Sequence, residues 1–495
     1  MRKRNFMSHT NQPVAAALLK QMWGALEGDD ALTQNVTFTG EGSLPSPFAL
    51  SDLAAASMGL VGTAVGELLA EMGEPLPKVT ADRYLASGWF RLPLGPSLPL
   101  GEPLITPIKA NLDFFTELPT ADDRWLRLHG VFPSARARIA NSLGVPEDIA
   151  QVAAIVRDEP ADRIEQRLVD GGSIVAASRS TDEWLDSAPG RAVAAEPLAA
   201  ITDHPASGSS WQPTPRRPLA GIKVLDLTRV IAGPVGTRFL ASLGAEVLRL
   251  DRPGSDESIT PVGHGAEQVL GKRWAYLDLR TPDGLAQFKR LLAEADVLVH
   301  GYRPGGIDGF VSEEERRAIK PDLIEISLRA YGWTGPWAMR RGFDTVVQFS
   351  TGLANATQSW ALEDPETRVP LWINGSPVDA SRPRHTAVEG LDFTTGHMIA
   401  AAALRGLTKR LRTGAGSTWK FSLARTASMV IRDARNPEPG PDIRIPLDGP
   451  WQDRIFTGPF GPVRRLVFPV EIENTPLFWE RPAERVGSSS PIWTF

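Results

Sequence analysis

The chain has no cysteine. That excludes disulfides, thiolate metal sites and cysteine nucleophiles, and it fits a reducing compartment. A basic excess is missing too: 53 Lys and Arg stand against 58 Asp and Glu, with both signs interspersed, so nothing marks a nucleic-acid surface. No apolar run reads as a membrane span, because residues 53–69 and 398–407 are rich in small residues and interrupted by polar ones. The basic start Met1-Arg2-Lys3-Arg4 lacks the apolar stretch of a signal peptide behind it. A cytoplasmic protein without membrane or nucleic-acid partners is expected. Neither a Gly-x-Gly-x-x-Gly turn nor a P-loop follows the first strand of the αβ pattern, so ordinary dinucleotide and ATP binding have no support.

What is present is enough apolar material for large cores: 42% hydrophobic and 22% charged residues in a chain of 495. Residues 1–45 are polar and Gly-rich and are expected to be loosely held. Residues 46–201 hold a helical pattern at 50–72, an alternating strand at 125–129, and helix-like segments at 135–143, 146–157 and 161–170. A capping box, Ser180-Thr181-Asp182-Glu183, starts another helix. Residues 202–218, rich in Pro, Ser and Gly, are the expected linker.

Residues 219–430 carry the clearest signal. Strand-like runs at 222–227, 246–250, 275–279, 297–302 and 323–328 alternate with helix patterns. Gly233-Pro234 opens the first helix and Gly244 closes it. The expected fold class is α/β: a doubly wound, Rossmann-like parallel sheet plus a smaller α+β domain. Ligands of such sheets bind beyond the carboxyl ends of the strands. Those ends carry Arg229, Arg252 and Arg303, a pattern that fits a phosphate-bearing ligand. Residues 431–495, with many Pro and aromatic residues, are expected to form an extended arm around the body.

The candidate catalytic residue is Asp392, in Gly390-Leu391-Asp392-Phe393-Thr394-Thr395-Gly396 ahead of a long apolar run. A carboxylate there is expected to cap a helix N-terminus and to stay ionised beside its free N–H groups, and an ionised carboxylate can act as a nucleophile. A plain cap has the same sequence signature.

Further residues carry a resemblance. The stretch from Leu219 through Val224-Leu225-Asp226-Leu227-Thr228-Arg229 to Gly233-Pro234 resembles the opening of family III CoA-transferases, which include formyl-CoA and carnitine CoA-transferases and the α-methylacyl-CoA racemases. The similarity continues in order through Asp251-Arg252-Pro253-Gly254, Gly271-Lys272-Arg273, Tyr302-Arg303-Pro304-Gly305, Gly332-Trp333-Thr334-Gly335-Pro336 and Arg341-Gly342-Phe343-Asp344 to Asp392 and Thr413-Gly414-Ala415-Gly416. Residues 46–201 resemble the later half of the same family. Asp52 and its helix look like a weak repeat of Asp392 and its helix, with 79–82 matching 420–423. The chain reads as a back half fused to a front half, a partial internal duplication.

The resemblance implies Asp392 as nucleophile. It implies coenzyme A contacts at Ile231, Ala232, Arg252, Leu270, Gly271, Lys272, Arg273, Gly301, Tyr302, Arg303, Arg341, Gly342, Phe343 and Asp344. It further implies acyl-CoA and carboxylic acids as substrates, no tightly bound cofactor or metal, and a homodimer as a candidate assembly. Phe343 stands where racemases have a proton-carrying His, which argues against that branch. A non-catalytic CoA-binding or scaffold member is the alternative.

Overall fold

Six apolar runs between residues 223 and 422 fold as one parallel sheet. The computed structural model describes residues 13–91, 97–100, 112–206, 211–255, 269–302, 305–369, 381–386, 388–436, 443, 450–458 and 461–495. The central sheet contains β1 (Ala200–Ala206), β2 (Lys223–Leu227), β3 (Glu246–Asp251), β4 (Arg273–Tyr276), β5 (Val297–His300), β6 (Ile324–Arg329) and β7 (Ala415–Ser422). Their spatial order is β4-β3-β2-β5-β6-β7-β1, parallel throughout except for β1, which runs antiparallel to β7. The parallel part has the doubly wound order, and the chain reverses its direction of travel between β2 and β5, where such sheets bind ligands. Both faces are covered, which is why these strands read as near-continuous apolar runs: Val224, Leu225, Leu248, Val297, Leu298 and Ile324 are fully buried.

Five helices position the site: α1 (Leu50–Glu71), α2 (Ala232–Ser242), α3 (Asp344–Ser350), α4 (Gly390–Thr413) and α5 (Leu423–Asp433). By length and composition α1 could cross a membrane, yet 94% of its most apolar window is buried inside the protein, where it packs against α4. The smaller α+β unit consists of antiparallel strands Glu117–Pro119, Trp125–Leu128 and Val175–Ala177 under helices Pro133–Leu143, Ile149–Arg157 and Ala161–Asp170. Its own core includes Ile139, Val152, Val156, Ile164 and Leu168.

Three expectations need correction. Residues 13–45 are built into the body. Helix Pro13–Ala25 buries Ala15, Leu18, Leu19 and Met22, an i, i+3, i+4, i+7 stripe, and Val36–Thr39 is a strand. The start of the expected linker, residues 202–206, is part of β1, which closes the open edge of β7. The expected strand 275–279 lies earlier, at Arg273–Tyr276, in register with β3.

The weak repeat has a geometric counterpart. Asp52 and Asp392 are each the third residue of their helix, and the residues before the helices, Ala49 and Glu389, share one backbone conformation (φ −75°, ψ 57° and φ −80°, ψ 62°). A strand and a second helix follow in both units: Val79–Asp82 and Arg83–Phe90 in the first, β7 and α5 in the second. Asp82 and Ser422 cap those second helices, so the repeat aligns 82 with 422, one residue from the register expected in sequence. α1 and α4 run side by side in the same direction. Ser57 Oγ meets His397 Nδ1 at 2.9 Å across a separation of 340 residues, and Glu67–Arg405 and Glu71–Arg412 pair further along. The strand Val79–Asp82 pairs parallel with Val36–Thr39 and antiparallel with Val470–Ile472, as β7 pairs with β6 and β1. Each unit's sheet is thus closed by a strand that follows the other unit in the chain.

Candidate active site

β2 ends at Leu227, and the chain turns sharply into α2. Val230 adopts φ +66°, a strained conformation for a β-branched residue. Gly233 is required there, since a Cβ would sit 2.3 Å from Thr228 Cβ. The turn is held from beneath by Asp226, which accepts from Thr228 N (2.9 Å), Thr237 Oγ1 (2.7 Å) and Lys272 Nζ (2.7 Å). Above it, the N–H groups of Ala232 and Gly233 have no acceptor among the described residues, and no side chain caps α2. The first turn of α2 therefore offers unpartnered donors and the positive end of a helix dipole.

Asp392 is brought to the same place by a close helix crossing. A Cβ on Gly236 would lie 2.7 Å from Gly396 O, and one on Gly396 would lie 2.5 Å from Ala232 O. Two glycines thus let α2 and α4 touch backbone to backbone and set Asp392 beside the β2–α2 turn. Together these elements line a cleft of about 560 Å³ at the carboxyl ends of β2 and β5. Seven arginines face it (Arg138, Arg229, Arg252, Arg280, Arg329, Arg340 and Arg341) against two carboxyls, Asp278 and Asp392. Several of these cations are already engaged. Arg280 pairs with Asp278, Arg340 with buried Glu165 at 2.6 Å, and Arg229 with Asp251 at 3.3 Å.

Asp392 does not cap α4. Glu389 occupies that position, and Asp392 lies inside the first turn with its N–H donating to Asp344 Oδ2 at 2.8 Å. The residue is 5% exposed, and its carboxyl is pushed well above the usual carboxylate range, first by burial and then by Asp344 and Glu389. The expectation of an Asp held ionised by a helix end is thereby corrected, because like charges and burial outweigh the dipole. Burial raises Asp344 to about 7 and, with the Asp344 charge, Glu389 to about 8. Glu389 Oε2 has no hydrogen-bond partner among the described residues. Phe393 N–H donates to Glu389 O at 3.1 Å, so the open backbone donors of the site belong to α2 and not to the start of α4.

The other expected contacts divide. Ile231, Ala232, Arg252, Gly301, Tyr302, Arg341, Gly342 and Phe343 line the cleft with Asp392. Asp344 lies directly behind it. Arg303 is outside the described residues. Leu270, Gly271, Lys272 and Arg273 do not line the cleft, which corrects the expectation for those four. Lys272 is fully buried, and burial lowers it to about 8 despite the Asp226 carboxylate. Gly271 is covered by Trp479, and Arg273 is held by Glu246 at 3.0 Å and by the carbonyls of Ser490 and Ile492. The residues 461–495 thus cover this turn from outside.

Sequence reasoning missed Glu389, and it missed the wall contributed by the α+β unit: Ser134, Arg138 and Ile174. A Glu three residues before Asp392 was a visible signal for the first. No linear pattern points to the second. His129, buried, stacks on Phe343 with ring centroids 4.5 Å apart, and His397 is buried against Ser57. Burial lowers both to about 3, so both rings are uncharged near neutrality.

Comparison with known proteins agrees with this geometry. The model of CoA-transferase family III matches residues 219–435. Human succinyl-CoA:glutarate CoA-transferase is 35% identical over 40% of this chain and 44% of its own length. A probable fatty acyl-CoA transferase of Mycobacterium tuberculosis is 29% identical over 46% of this chain and 59% of its own. The acetyl-CoA:oxalate CoA-transferase of Acetobacter aceti is 37% identical over 31% and 42%. The chain spans about half the length of the curated relatives it matches. Residues 219–435, with their motif order, their doubly wound sheet and the cleft at its switch point, are thus similar to CoA-transferase family III.

Proposed function

We propose that the chain is an acyl-CoA:carboxylate CoA-transferase in which Asp392 carries the acyl group and coenzyme A in turn. The observation that carries this reading is a buried carboxyl set at the edge of an arginine-lined cleft, beside unpartnered N–H groups of α2. The cleft cations suit the phosphates of coenzyme A. The relatives' names, succinyl-CoA:glutarate and acetyl-CoA:oxalate CoA-transferase, support acyl-CoA and carboxylic acids as substrates.

In the first step an Asp392 oxygen attacks the thioester carbonyl, the C–S bond breaks, and CoA leaves as thiolate, giving an aspartyl–acyl anhydride. The thiolate attacks the aspartyl carbonyl, the donor acid leaves as carboxylate, and an aspartyl-CoA thioester remains. The acceptor carboxylate attacks that thioester, and the released thiolate then takes the new acyl group. Asp392 is restored. The N–H groups of Ala232 and Gly233 would bind the oxyanions formed in each addition. Asp392 reacts only when ionised, so Asp344 and Glu389 set the pH at which the site works. Phe343 carries no proton, which disfavours a racemase.

The test is chemical trapping. The protein incubated with an acyl-CoA and quenched with hydroxylamine should gain the mass of a hydroxamate on the peptide containing Asp392. No adduct and no exchange of label between CoA thioesters and free acids would sink the reading. Exchange that persists in Asp392→Ala would sink the assignment of the residue.

A further inference from the structure

The cleft has two walls, and they differ in what their arginines do. On the sheet side Arg229, Arg252 and Arg280 follow strand ends, the place where phosphates bind in this architecture. On the opposite side the α+β unit contributes helix Pro133–Leu143, whose Arg138 faces the same cleft. Arg138 is half-buried. Its Nε is buried with no hydrogen-bond partner, and no carboxylate pairs with its guanidinium among the described residues. A half-buried guanidinium without a counter-ion is unfavourable unless a ligand supplies one. The same cleft is lined by the apolar side chains Ile174 and Phe343, and Phe343 is held by the rings of His129 and Phe132. A cation without a counter-ion that shares a cleft with apolar lining residues suits a short alkyl chain ending in an anion.

We infer that Arg138 binds the distal carboxylate of a dicarboxylic acyl group, with the methylene chain lying along Ile174 and Phe343. This rests on the reading of the cleft as an acyl-CoA site. It goes beyond that reading by making Arg138 the residue that separates dicarboxylic from monocarboxylic acyl groups. The competing source of the anion is coenzyme A itself, through one of its phosphates. Succinyl-CoA and butyryl-CoA share every phosphate and differ by a carboxylate in place of a methyl group, so the pair isolates the acyl contribution.

The experiment is equilibrium binding of succinyl-CoA, butyryl-CoA and free CoA to full-length protein carrying Asp392→Asn, which blocks turnover, with and without Arg138→Gln. A charged hydrogen bond of this kind is worth about tenfold to a hundredfold in affinity. Succinyl-CoA should bind the Arg138-containing protein tighter than butyryl-CoA by about that factor, and Arg138→Gln should erase the difference while leaving butyryl-CoA and free CoA within about twofold. Arg138→Lys should restore part of the preference, which a merely structural role would not. Equal weakening of all three ligands would make Arg138 a phosphate contact and overturn the inference, as would an unchanged preference. Turnover by the protein with Asp392 intact is measured separately. A protein that binds selectively but transfers nothing would overturn the transferase reading and leave the Arg138 assignment standing.

Discussion

The chain contains two versions of one helix–strand–helix unit, and their carboxylates have opposite surroundings. Asp52 is clamped by Arg83, with Nε to Oδ1 at 3.2 Å and Nη2 to Oδ2 at 2.9 Å. Asp392 has Leu423 at the corresponding place, 31 residues on, as Arg83 is from Asp52. Where the first unit has Ala49 before its helix, the second has Glu389, a buried acid. In the first unit the acid has a cation beside it. In the second it is crowded by two other carboxyls and opens on a cleft. The lesson is that position three of such a helix is only a location, and its neighbours decide whether the acid there is a salt-bridge partner or a reagent.

The largest expected effect separates the two acids directly. If Asp392 carries the covalent intermediates as proposed, Asp392→Ala should lower CoA transfer about 10⁴-fold or more. Asp52→Ala should leave the rate per folded molecule within a few-fold, although it strands the Arg83 guanidinium and lowers the melting temperature. Steady-state rates and thermal unfolding of both variants test this, and comparable rate losses would remove the functional distinction between the units.

Moving the clamp is the next test. Leu423→Arg should recreate the first unit's pairing in the second, hold the Asp392 oxygens in an ion pair even though it favours their ionisation, and lower transfer by on the order of 10²-fold. Leu423→Met, equally long near the backbone but uncharged, should stay within about tenfold of wild type if charge is the cause. Equal losses in the two variants would assign the effect to bulk in the cleft.

A third prediction concerns the sheet that only the second unit faces. Lys272→Met breaks the buried contact with Asp226 under the β2–α2 turn and should cost about 3–5 kcal/mol of stability, read by denaturant unfolding. CoA affinity of the folded fraction should hold within about twofold. A large affinity loss without destabilisation would restore the coenzyme A contact that the resemblance implies.

That case shows where sequence reasoning stopped. The strands from β2 to β6 were legible because a parallel sheet buried on both faces writes itself as apolar runs, and β2 and β3 were placed to within a residue. The place of Asp392 at the start of a helix was legible because a long apolar run follows it. Lys272 was misread because its partner Asp226 lies 46 residues away, and a lysine in a motif looks the same whether it faces solvent, ligand or a buried acid. The crowding of Asp392 was hidden for the same reason, since Asp344 is 48 residues distant. β1 was taken for linker because an edge strand containing Pro205 shows no strong period. Arg138 was out of reach, as only the folded α+β unit turns it toward the cleft.

The smallest effect is a pH dependence, and its sign can be worked out. Glu389 is raised from the ordinary range to about 8 by burial and then by Asp344. A group raised on folding favours the folded state below its unfolded value, near 4.3, and loses that contribution as pH rises through the folded value. Wild-type stability should therefore fall between about pH 5 and pH 8 as the carboxyls of this cluster are forced to ionise. Glu389→Gln removes one of them without opening a cavity. The variant should be more stable than wild type by on the order of 1–3 kcal/mol at pH 8, and by much less at pH 5. It also removes one of the two carboxyls that push Asp392 up, so the rise of the transfer rate with pH should move to lower pH. Thermal unfolding and kcat across pH 5–9 measure the two separately. A stability gain that is the same at both pH values would mean that Glu389 stays protonated throughout. The first unit, with Ala49 in that place, would then differ from the second in packing and not in charge.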